Sequence, residues 1–187
     1  MRISVDSTRE VCPLFQTEEG GSIPTSTLQL RVYEASARKC QQLNRTWHSI
    51  LPETHLGNLV GNTRSVFYTA QFEDIYYAAA MWTTPIAANR LTDGWNALEL
   101  RRFAIAPDAP KNSGSWMLGV MTNLIRKRYP SVNRLISYQA TEHHRGTIYK
   151  AAGWTPVAES DYTVWHEGRN RAEAQTKSSK VRWEKAL

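Results

Sequence analysis

The fold is decided by residues 98–116. They read Leu-Glu-Leu-Arg-Arg-Phe-Ala-Ile-Ala, then Pro107, then Asp-Ala-Pro-Lys-Asn-Ser-Gly-Ser, and end on a tryptophan. The first nine residues are rich in apolar side chains and are followed by proline, which predicts a strand that ends there. Over Ser115–Tyr129 apolar residues recur at helical spacing and the last turn is basic, which predicts an amphipathic helix. The segment therefore predicts a strand, a polar loop and a helix in direct succession.

The polar loop between this strand and helix is suited to an anion. A strand that ends in such a loop directs several free backbone N–H groups at one point, where the helix dipole and Lys111 add positive charge. This geometry predicts a pyrophosphate site. The alternative is an ordinary turn in which Ser113 or Ser115 caps the helix.

The rest of the chain alternates between predicted strands and helices. Strands are predicted at Arg64–Phe72, Asp74–Trp82, Arg134–Tyr138 and, as one or two closing strands, within Trp154–Trp165, and helices at Leu28–Leu43 and His144–Ala152, the latter ended by Gly153. This order is typical of an α/β domain. Residues 1–27 are predicted as an N-terminal extension, residues 28–166 as the domain itself, and residues 167–187 as a basic tail that is either helical or disordered.

The composition is that of one globular domain with a basic balance. The 187 residues are 41% hydrophobic and 21% charged, and the net charge is +6. A basic balance favours an anionic partner such as nucleic acid or a phosphorylated cofactor. The two cysteines form no Cys-x-x-Cys motif, and no apolar run approaches the roughly 20 residues that a membrane helix needs. We therefore expect a soluble cytoplasmic protein that does not associate with membranes.

Two segments resemble motifs of the GNAT acetyltransferases. The loop is similar to the pyrophosphate loop of that family, Arg/Gln-x-x-Gly-x-Gly/Ala, although Pro110 stands in place of Arg or Gln, and Ser113 and Ser115 replace glycines. The segment Tyr149-Lys-Ala-Ala-Gly153-Trp is similar to the Tyr-x-x-x-Gly-Phe segment of the fourth GNAT helix. The resemblance implies a GNAT-like N-acyltransferase fold, with a central mixed sheet that splays around acyl-CoA, and a tyrosine that protonates the departing thiolate. The alternative for Tyr149 is a packing role between helix and sheet.

A wider set of segments points to one family. These segments are Trp47–Pro52, Arg102–Ile105, Pro110–Asn112, Ser115–Trp116, Ile136–Gln139 and Gly146–Trp154. Together they resemble the Mom DNA-modification proteins of Mu-like bacteriophages. The resemblance implies that acetyl-CoA is the acyl source, that the N6 amino group of adenine in double-stranded DNA becomes methylcarbamoylated, and that this protects phage DNA from host restriction. It also implies iron as a further cofactor.

Two alternatives to this function stay open. One is an ordinary GNAT acetyltransferase that acts on a small amine, a protein or tRNA. The other is a non-catalytic DNA-binding module that retains the fold. Relatives carry an acidic residue directly after Ser-Tyr-Gln, where this chain has Ala140. Either Glu142 takes over the role of that acid or the change inactivates the chain, and the latter case keeps the non-catalytic alternative open.

Candidate residues for catalysis and cofactor binding follow from the resemblance and the strand pattern. Tyr149 is the expected acid, His48 the expected base or metal ligand, and Glu99 a second candidate base. The pantetheine arm of CoA is expected along the backbone of Phe103, Ala104 and Ile105. The CoA phosphates are expected at Lys111, Asn112, Ser113, Gly114 and Ser115, and at Arg101.

Basic and aromatic side chains are the candidates for holding DNA. Trp47 and Tyr138 could stack on an adenine that is flipped out of the duplex. The basic residues that could neutralise phosphates are Arg102, Arg126, Lys127 and Arg128, and the alternative for such residues is a solvated face. Alternation along a strand predicts that Arg101 and Arg102 point to opposite faces. The sequence does not fix the oligomeric state, and a homodimer is compatible with it.

Overall fold

A seven-stranded mixed sheet forms the centre of the computed structural model, which describes residues 2–3, 10–11, 23–48, 50–51, 57–61, 64–91, 96–160 and 178–187. The strands are β1 (Arg2–Ile3), β2 (Glu10–Val11), β3 (Arg31–Glu34), β4 (Ser65–Phe72), β5 (Ile75–Thr83), β6 (Ala97–Ile105), β7 (Arg134–Ala140), β8 (Thr155–Ser160) and β9 (Lys180–Ala186). The α-helices are α1 (Ala37–Trp47), α2 (Gly57–Val60), α3 (Ser113–Arg128) and α4 (Thr147–Ala151), and short 3₁₀ helices cover Thr27–Gln29 and Ala88–Leu91.

The strand order of the sheet is β3-β4-β5-β6-β7-β9-β8, and β1 pairs with β2 in a separate ribbon. All neighbours in the large sheet are antiparallel except β6 and β7, which are parallel and are connected through α3. A parallel pair needs such a crossover because the chain must return to the same end of the sheet. The predicted α/β fold with a central mixed sheet is therefore confirmed.

The two parallel strands separate at the middle of the sheet. Their register begins at Ala97 opposite Arg134 and ends at Leu100 opposite Ser137. Beyond these residues β6 continues beside β5, whereas β7 continues beside β9. The strands therefore enclose a V-shaped opening, which is the splay that the resemblance implied.

Helices cover both faces of this sheet. On one face α3 and α4 pack against β5 and β6 through a core that includes Leu98, Leu100, Met117 and Met121. On the other face α1 packs against a second core, whose buried residues are Cys40, Leu43, Leu59, Phe67, Tyr76, Ala79 and Met81. Alternate residues of β4 and β5 supply the two cores, as a strand buried on both faces requires. The sheet therefore separates two cores, with α3 and α4 on one side and α1 on the other.

Two predicted elements differ in the structure. Over Leu28–Leu43 the prediction of one helix is wrong, because Arg31–Glu34 is the edge strand β3 and α1 begins only at Ala37. Pairing with β4 supplies the backbone partners of that strand, and helical spacing of apolar residues cannot reveal a partner over 30 residues away. The side chain of Ser36 accepts a hydrogen bond from Lys39 N and fixes the start of the helix.

The basic tail also differs from the prediction. Lys180–Ala186 is neither helical nor disordered but forms β9, which is inserted between β7 and β8. The preceding residues 161–177, where a second closing strand was allowed, lie outside the described residues. Of the predicted N-terminal extension, the structure describes β1, β2 and residues 23–27.

The remaining predicted elements are confirmed with shifted ends. α4 begins at Thr147 rather than His144, because Gly146 adopts φ +69° just before it, and Gly153 ends the helix with φ +69° as predicted. None of the described helices has the length and apolar character needed to cross a membrane.

Candidate active site

A pocket of about 250 Å³ lies between the N-terminus of α3 and the helix α4. Its lining residues are Ile105, Pro110, Asn112, Ser113, Gly114, Ser115, Thr147, Ile148 and Ala151. The first i→i−4 hydrogen bond of α3 runs from Trp116 N to Asn112 O at 3.0 Å. The amides of Gly114 and Ser115 therefore precede the hydrogen-bonded part of the helix and face its N-terminal end, where the dipole is positive. This pocket can bind an anionic group such as a pyrophosphate.

Gly114 allows the helix end to approach its neighbours closely. A Cβ atom at this position would lie 2.9 Å from Ile148 Cγ2 and 3.0 Å from Ile105 Cδ1, so that these side chains would have to move. Glycine thus lets the N-terminus of α3, the end of β6 and α4 meet in one place. That meeting forms the floor of the pocket.

The two loop serines use their hydroxyl groups to shape the turn. Ser113 Oγ donates to Pro110 O at 2.7 Å, and Ser115 Oγ donates to Asn112 O at 3.1 Å. Asn112 itself has φ +69° and makes no side-chain cap, so the predicted serine N-cap is not what starts the helix. Lys111 is exposed beside this turn and is not among the lining residues.

The remaining predicted cofactor residues lie on β6. Ile105 lines the pocket, whereas Phe103 packs against the core and Ala104 is buried opposite Ala79. Because β5 occupies one edge of β6 and β7 leaves the other after Leu100, the backbone groups of this half of the strand border the opening. They are therefore available to an extended arm such as pantetheine. Arg101 is not in the pocket, because it forms an ion pair elsewhere.

Tyr149 lies at the base of the opening. Its hydroxyl group is 2.8 Å from Ser137 Oγ, and Ser137 is the last residue of β7 that pairs with β6. The Tyr149 ring stacks on Trp183 with centroids 5.4 Å apart and meets the edge of Trp154 at 5.7 Å. Burial raises the pKa of this phenol, and the hydrogen bond with Ser137 opposes the rise. The tyrosine is therefore both a packing residue and a neutral hydroxyl donor held beside the splay.

The other side of the opening carries a polar cluster, which we define as His48, Arg90, Glu99, Arg101 and Arg102. Glu99 is 7% exposed and pairs with Arg101 at 3.2 Å between Oε1 and Nε. Its second oxygen accepts a hydrogen bond from Ile86 N at 3.3 Å. Burial raises the pKa of Glu99, and the nearby guanidinium groups oppose the rise. A buried carboxylate with a raised pKa is suited to accept a proton near neutral pH.

A β-bulge places both arginines of this cluster together. Met81 pairs with Arg102 and Trp82 with Leu100, so Arg101 is an extra residue in β6. The prediction that Arg101 and Arg102 point to opposite faces is therefore wrong, because the bulge interrupts the alternation. Burial and the charge of Arg101 lower the pKa of Arg102 to about 10, although Glu99 opposes the fall. Arg102 Nη1 donates to Arg101 O at 2.7 Å, while its enclosed Nε has no hydrogen-bond partner among the described residues.

His48 follows directly after α1. Its Nδ1 accepts hydrogen bonds from Ile50 N at 3.3 Å and Leu51 N at 3.1 Å. Burial lowers the pKa of His48 to about 4, and the positive charges of Arg102 and His144 contribute. His144 therefore lies close enough to act on the charge of His48, and the sequence analysis did not identify it as a site residue.

The residues present do not fit an iron site. Among the described residues no three His, Cys, Asp or Glu side chains lie together in a group that could hold a metal ion. Metal-binding histidines usually donate their second ring N–H to a carbonyl or carboxylate. His48 instead accepts two amide hydrogens at Nδ1. We therefore assign no step to a metal.

The outer half of β7 also borders the polar cluster. Arg90 Nε donates to Tyr138 Oη at 3.3 Å, which places this predicted base-stacking residue beside the cluster. Ala140 ends the strand opposite Lys180, and by alternation its Cβ is on the same face as Tyr138. An acid at this position would therefore face the polar cluster. Glu142 is exposed in the turn that follows.

The other predicted DNA contacts lie away from the opening. Arg126, Lys127 and Arg128 are exposed in the last turn of α3, about 20 Å along the helix from the pocket at its start. Arg128 also pairs with Glu34 at 3.2 Å. Trp47 packs against the core beneath α1 and is only partly buried. The structure therefore brings Arg102 and Tyr138 to the site but not the basic turn.

The sequence did not reveal the residues that support Tyr149 from β9. Trp183 Nε1 donates to Gln139 Oε1 at 2.7 Å, and Gln139 Nε2 donates to the carbonyl of His144. The available signal was the alternation of Val181 and Trp183 with charged residues, which is typical of a strand. Ser137 was likewise missed as the partner of Tyr149.

Comparison with known proteins agrees with this geometry. The family model described as the Mom protein family matches residues 75–186, more than half of the chain. No curated protein sequence matches the chain significantly. Many solved structures do match, and three of them illustrate the likeness.

The first of these is an acetyltransferase from Bacillus subtilis in complex with CoA, with a TM-score of 0.58, 13% identity, and coverage of 85% of this chain and 98% of that chain. The second is a GNAT family acetyltransferase from Elizabethkingia anophelis with acetyl-CoA bound. Its TM-score is 0.54 and its identity 10%, and the match covers 85% of this chain and 99% of that chain. The third is spermidine N-acetyltransferase from Vibrio cholerae in complex with CoA and spermine. Its TM-score is 0.58 and its identity 12%, and the match covers 85% of this chain and 96% of that chain. At these identities the likeness shows the fold, which is that of the GNAT acetyltransferases.

Proposed function

The chain belongs to the Mom protein family, and from that premise we propose that it transfers an acyl group from acetyl-CoA to the N6 amino group of adenine in DNA. One observation carries the proposal. The opening between β6 and β7 has a pocket that can bind an anion on the side of α3 and α4, and a buried carboxylate in a polar cluster on the side of α1. A thioester that enters from the first side would meet an amine that enters from the second.

The transfer needs two proton movements, and one residue is available for each. The amine nitrogen attacks the thioester carbon, so that a C–N bond forms and the C–S bond breaks. Glu99 accepts the proton that the amine loses, and Tyr149 gives a proton to the departing thiolate. Ser137 Oγ then donates a hydrogen bond to the phenolate that remains. Solvent returns the proton from Glu99 to Tyr149, and no further reactant is needed for this step.

The methylcarbamoyl product that the family resemblance implies contains a nitrogen that acetyl-CoA lacks. The acyl transfer proposed here is complete without it, and a separate nitrogen donor would be needed to reach that product. Protection of phage DNA from host restriction would follow from either modified base. The net charge of +6 and the exposed basic turn of α3 support a DNA acceptor, because they favour phosphate contacts away from the reacting base.

Mass spectrometry of nucleosides tests the proposal. Plasmid DNA is recovered from cells that express the chain and from cells that express an Ala140→Asp variant. We expect a modified adenosine in at least one sample, and its mass distinguishes an acetyl from a methylcarbamoyl group. Unmodified adenine in both samples, together with acetylation of a small amine, a protein or tRNA, would instead indicate an ordinary acetyltransferase. Unmodified adenine without acetyl-CoA binding would indicate a DNA-binding module.

A further inference from the structure

The hydrogen bonds of His48 fix the position of its ring proton. Nδ1 accepts from two backbone amides, those of Ile50 and Leu51. A ring nitrogen that accepts a hydrogen bond carries a lone pair and no proton, so the single proton of the neutral ring is on Nε2. Protonation of Nδ1 would remove both backbone contacts. The loop after α1 therefore selects one tautomer.

In the described part of the chain, Nε2 of His48 has no hydrogen-bond partner and can therefore act on a ligand. Among the described residues no atom accepts a hydrogen bond from it, and it is not one of the enclosed polar atoms that lack partners. His48 ends α1, and α1 packs against β6, the strand that carries Glu99 and Arg102. A molecule that occupies this side of the opening would thus meet a carboxylate that accepts and an imidazole that donates.

We propose that His48 is a hydrogen-bond donor of fixed tautomer that recognises a ring nitrogen beside the acceptor amine. The inference rests on the function proposed above, and it states that His48 contacts the edge of adenine that carries the N6 amine. Adenine presents an N6–H donor with an acceptor nitrogen on either side, N1 on the Watson–Crick edge and N7 in the major groove. Glu99 takes the N–H of the amine, and His48 Nε2 donates to the adjacent nitrogen. In this arrangement His48 neither removes a proton nor binds a metal.

Two substitutions of His48 separate donation from proton removal. His48→Gln can place an amide N–H near the position of Nε2 but cannot act as a base. His48→Asn can keep an acceptor near the position of Nδ1 but has no donor that reaches as far as Nε2. We expect the asparagine variant to bind an adenine-containing strand about 10-fold more weakly, and the glutamine variant to stay within about 3-fold of the unchanged protein.

The experiment uses the full chain labelled with ¹⁵N and a short oligothymidine strand with one central adenine. Matched strands carry 1-deazaadenine or 7-deazaadenine, which lack one ring acceptor each. The ¹⁵N shifts of His48 at pH 7 should show a pyrrole-type Nε2 and a pyridine-type Nδ1. One of the two deaza strands should bind as weakly to the unchanged protein as adenine binds to the asparagine variant, and that strand identifies the nitrogen that His48 contacts.

A proton on Nδ1 at pH 7, or equal binding of adenine and both deaza strands, would overturn this inference and leave the proposed transfer intact. Equal losses in the glutamine and asparagine variants would also overturn it, because a base or metal ligand is lost in both. Failure of the adenine strand to bind to any variant would instead overturn the proposed function, and the assigned edge with it.

Discussion

Tyr149 Oη lies 2.8 Å from Ser137 Oγ, at the residue where β7 parts from β6. The hydroxyl pair is thus placed at the vertex of the opening, where a thioester that follows the edge of β6 would end. The stacked ring of Trp183 holds the phenol in that position.

Replacement of Tyr149 by Phe should slow transfer without disturbing the fold. The ring contacts with Trp183 and Trp154 remain, and the hydroxyl group is lost together with its hydrogen bond to Ser137. We expect kcat to fall about 100-fold or more, with little change in the KM for acetyl-CoA. Release of CoA measures the rate. Tyr129→Phe is the matched control, because Tyr129 Oη contacts Ser65 O at 3.3 Å, far along α3 from the pocket. A fall of similar size in the control would contradict the assignment.

Glu99 should determine the acidic limb of the pH–rate profile. Burial raises its pKa above the ordinary value of 4.5, so activity should fall with decreasing pH before an exposed glutamate would be protonated. Glu99→Gln should lose about 100-fold or more in kcat/KM and should no longer show this limb. Rates of the unchanged protein and of Glu99→Gln, measured from pH 4 to pH 8, show whether the acidic limb belongs to Glu99. An unchanged acidic limb in the glutamine variant would assign the proton transfer to another group.

His48 should make the protein less stable in mild acid. Its pKa is about 4 in the folded state and 6.5 in the unfolded chain, because burial and the charges of Arg102 and His144 oppose protonation. Between these values the unfolded chain binds a proton that the folded state does not, so stability falls as the pH drops from about 6.5 to about 4. The pKa of His144 is also lowered, and its effect has the same sign.

Urea unfolding over this pH range compares the unchanged protein with His48→Gln. The variant should lose stability less steeply, since one of the groups responsible is absent. His144→Gln serves as the control for the second histidine. Parallel stability curves for the unchanged protein and the His48 variant would show that folding does not lower the pKa of His48.

An acid at position 140 should increase transfer. Ala140 is on the face of β7 that carries Tyr138, so Ala140→Asp would direct a carboxylate toward the polar cluster. We expect a gain of about 10-fold or more in modified adenine. Ala140→Asn is the isosteric control and should give no gain. A gain with asparagine as well would indicate that side-chain size rather than charge matters.

Two glycines of α3 should respond in opposite ways to the same change. Gly114→Ala would bring a Cβ within 3.0 Å of two isoleucine side chains and should cost about 1–3 kcal/mol of unfolding free energy. It should also weaken acetyl-CoA binding, because the pocket floor must shift. At Gly119, in the same helix, an added Cβ meets nothing within 4 Å, and alanine should stabilise by about 0.5–1 kcal/mol. Denaturant unfolding and calorimetric titration measure both effects, and equal stability of the two variants would contradict the close packing.

The spacing of residues within a segment predicted the elements whose apolar and charged pattern is local. It missed the elements that depend on pairing with distant segments. The strand before Pro107 and the helix after it were predictable because apolar spacing and a basic last turn are encoded within a few residues. β3 and β9 were not, since their backbone partners are tens of residues away. The bulge at Arg101 was also hidden, because an extra residue in a strand becomes visible only against its neighbour. In the site, the pocket and Tyr149 were predictable, whereas the tautomer of His48 depends on two amides that only the folded loop provides.

The insertion of β9 between β7 and β8 has a consequence for the order of events in time. Among the described strands β8 pairs only with β9, so β8 cannot join the sheet until a segment some 40 residues beyond β7 has found its register. Such long-range pairing is slow compared with helix formation. Tyr149 would therefore belong to a helix before Trp183 arrives to pack against it. A refolding chain should regain helical content first and activity last. The delay between the two is the time that β9 needs to pair with β7 and β8.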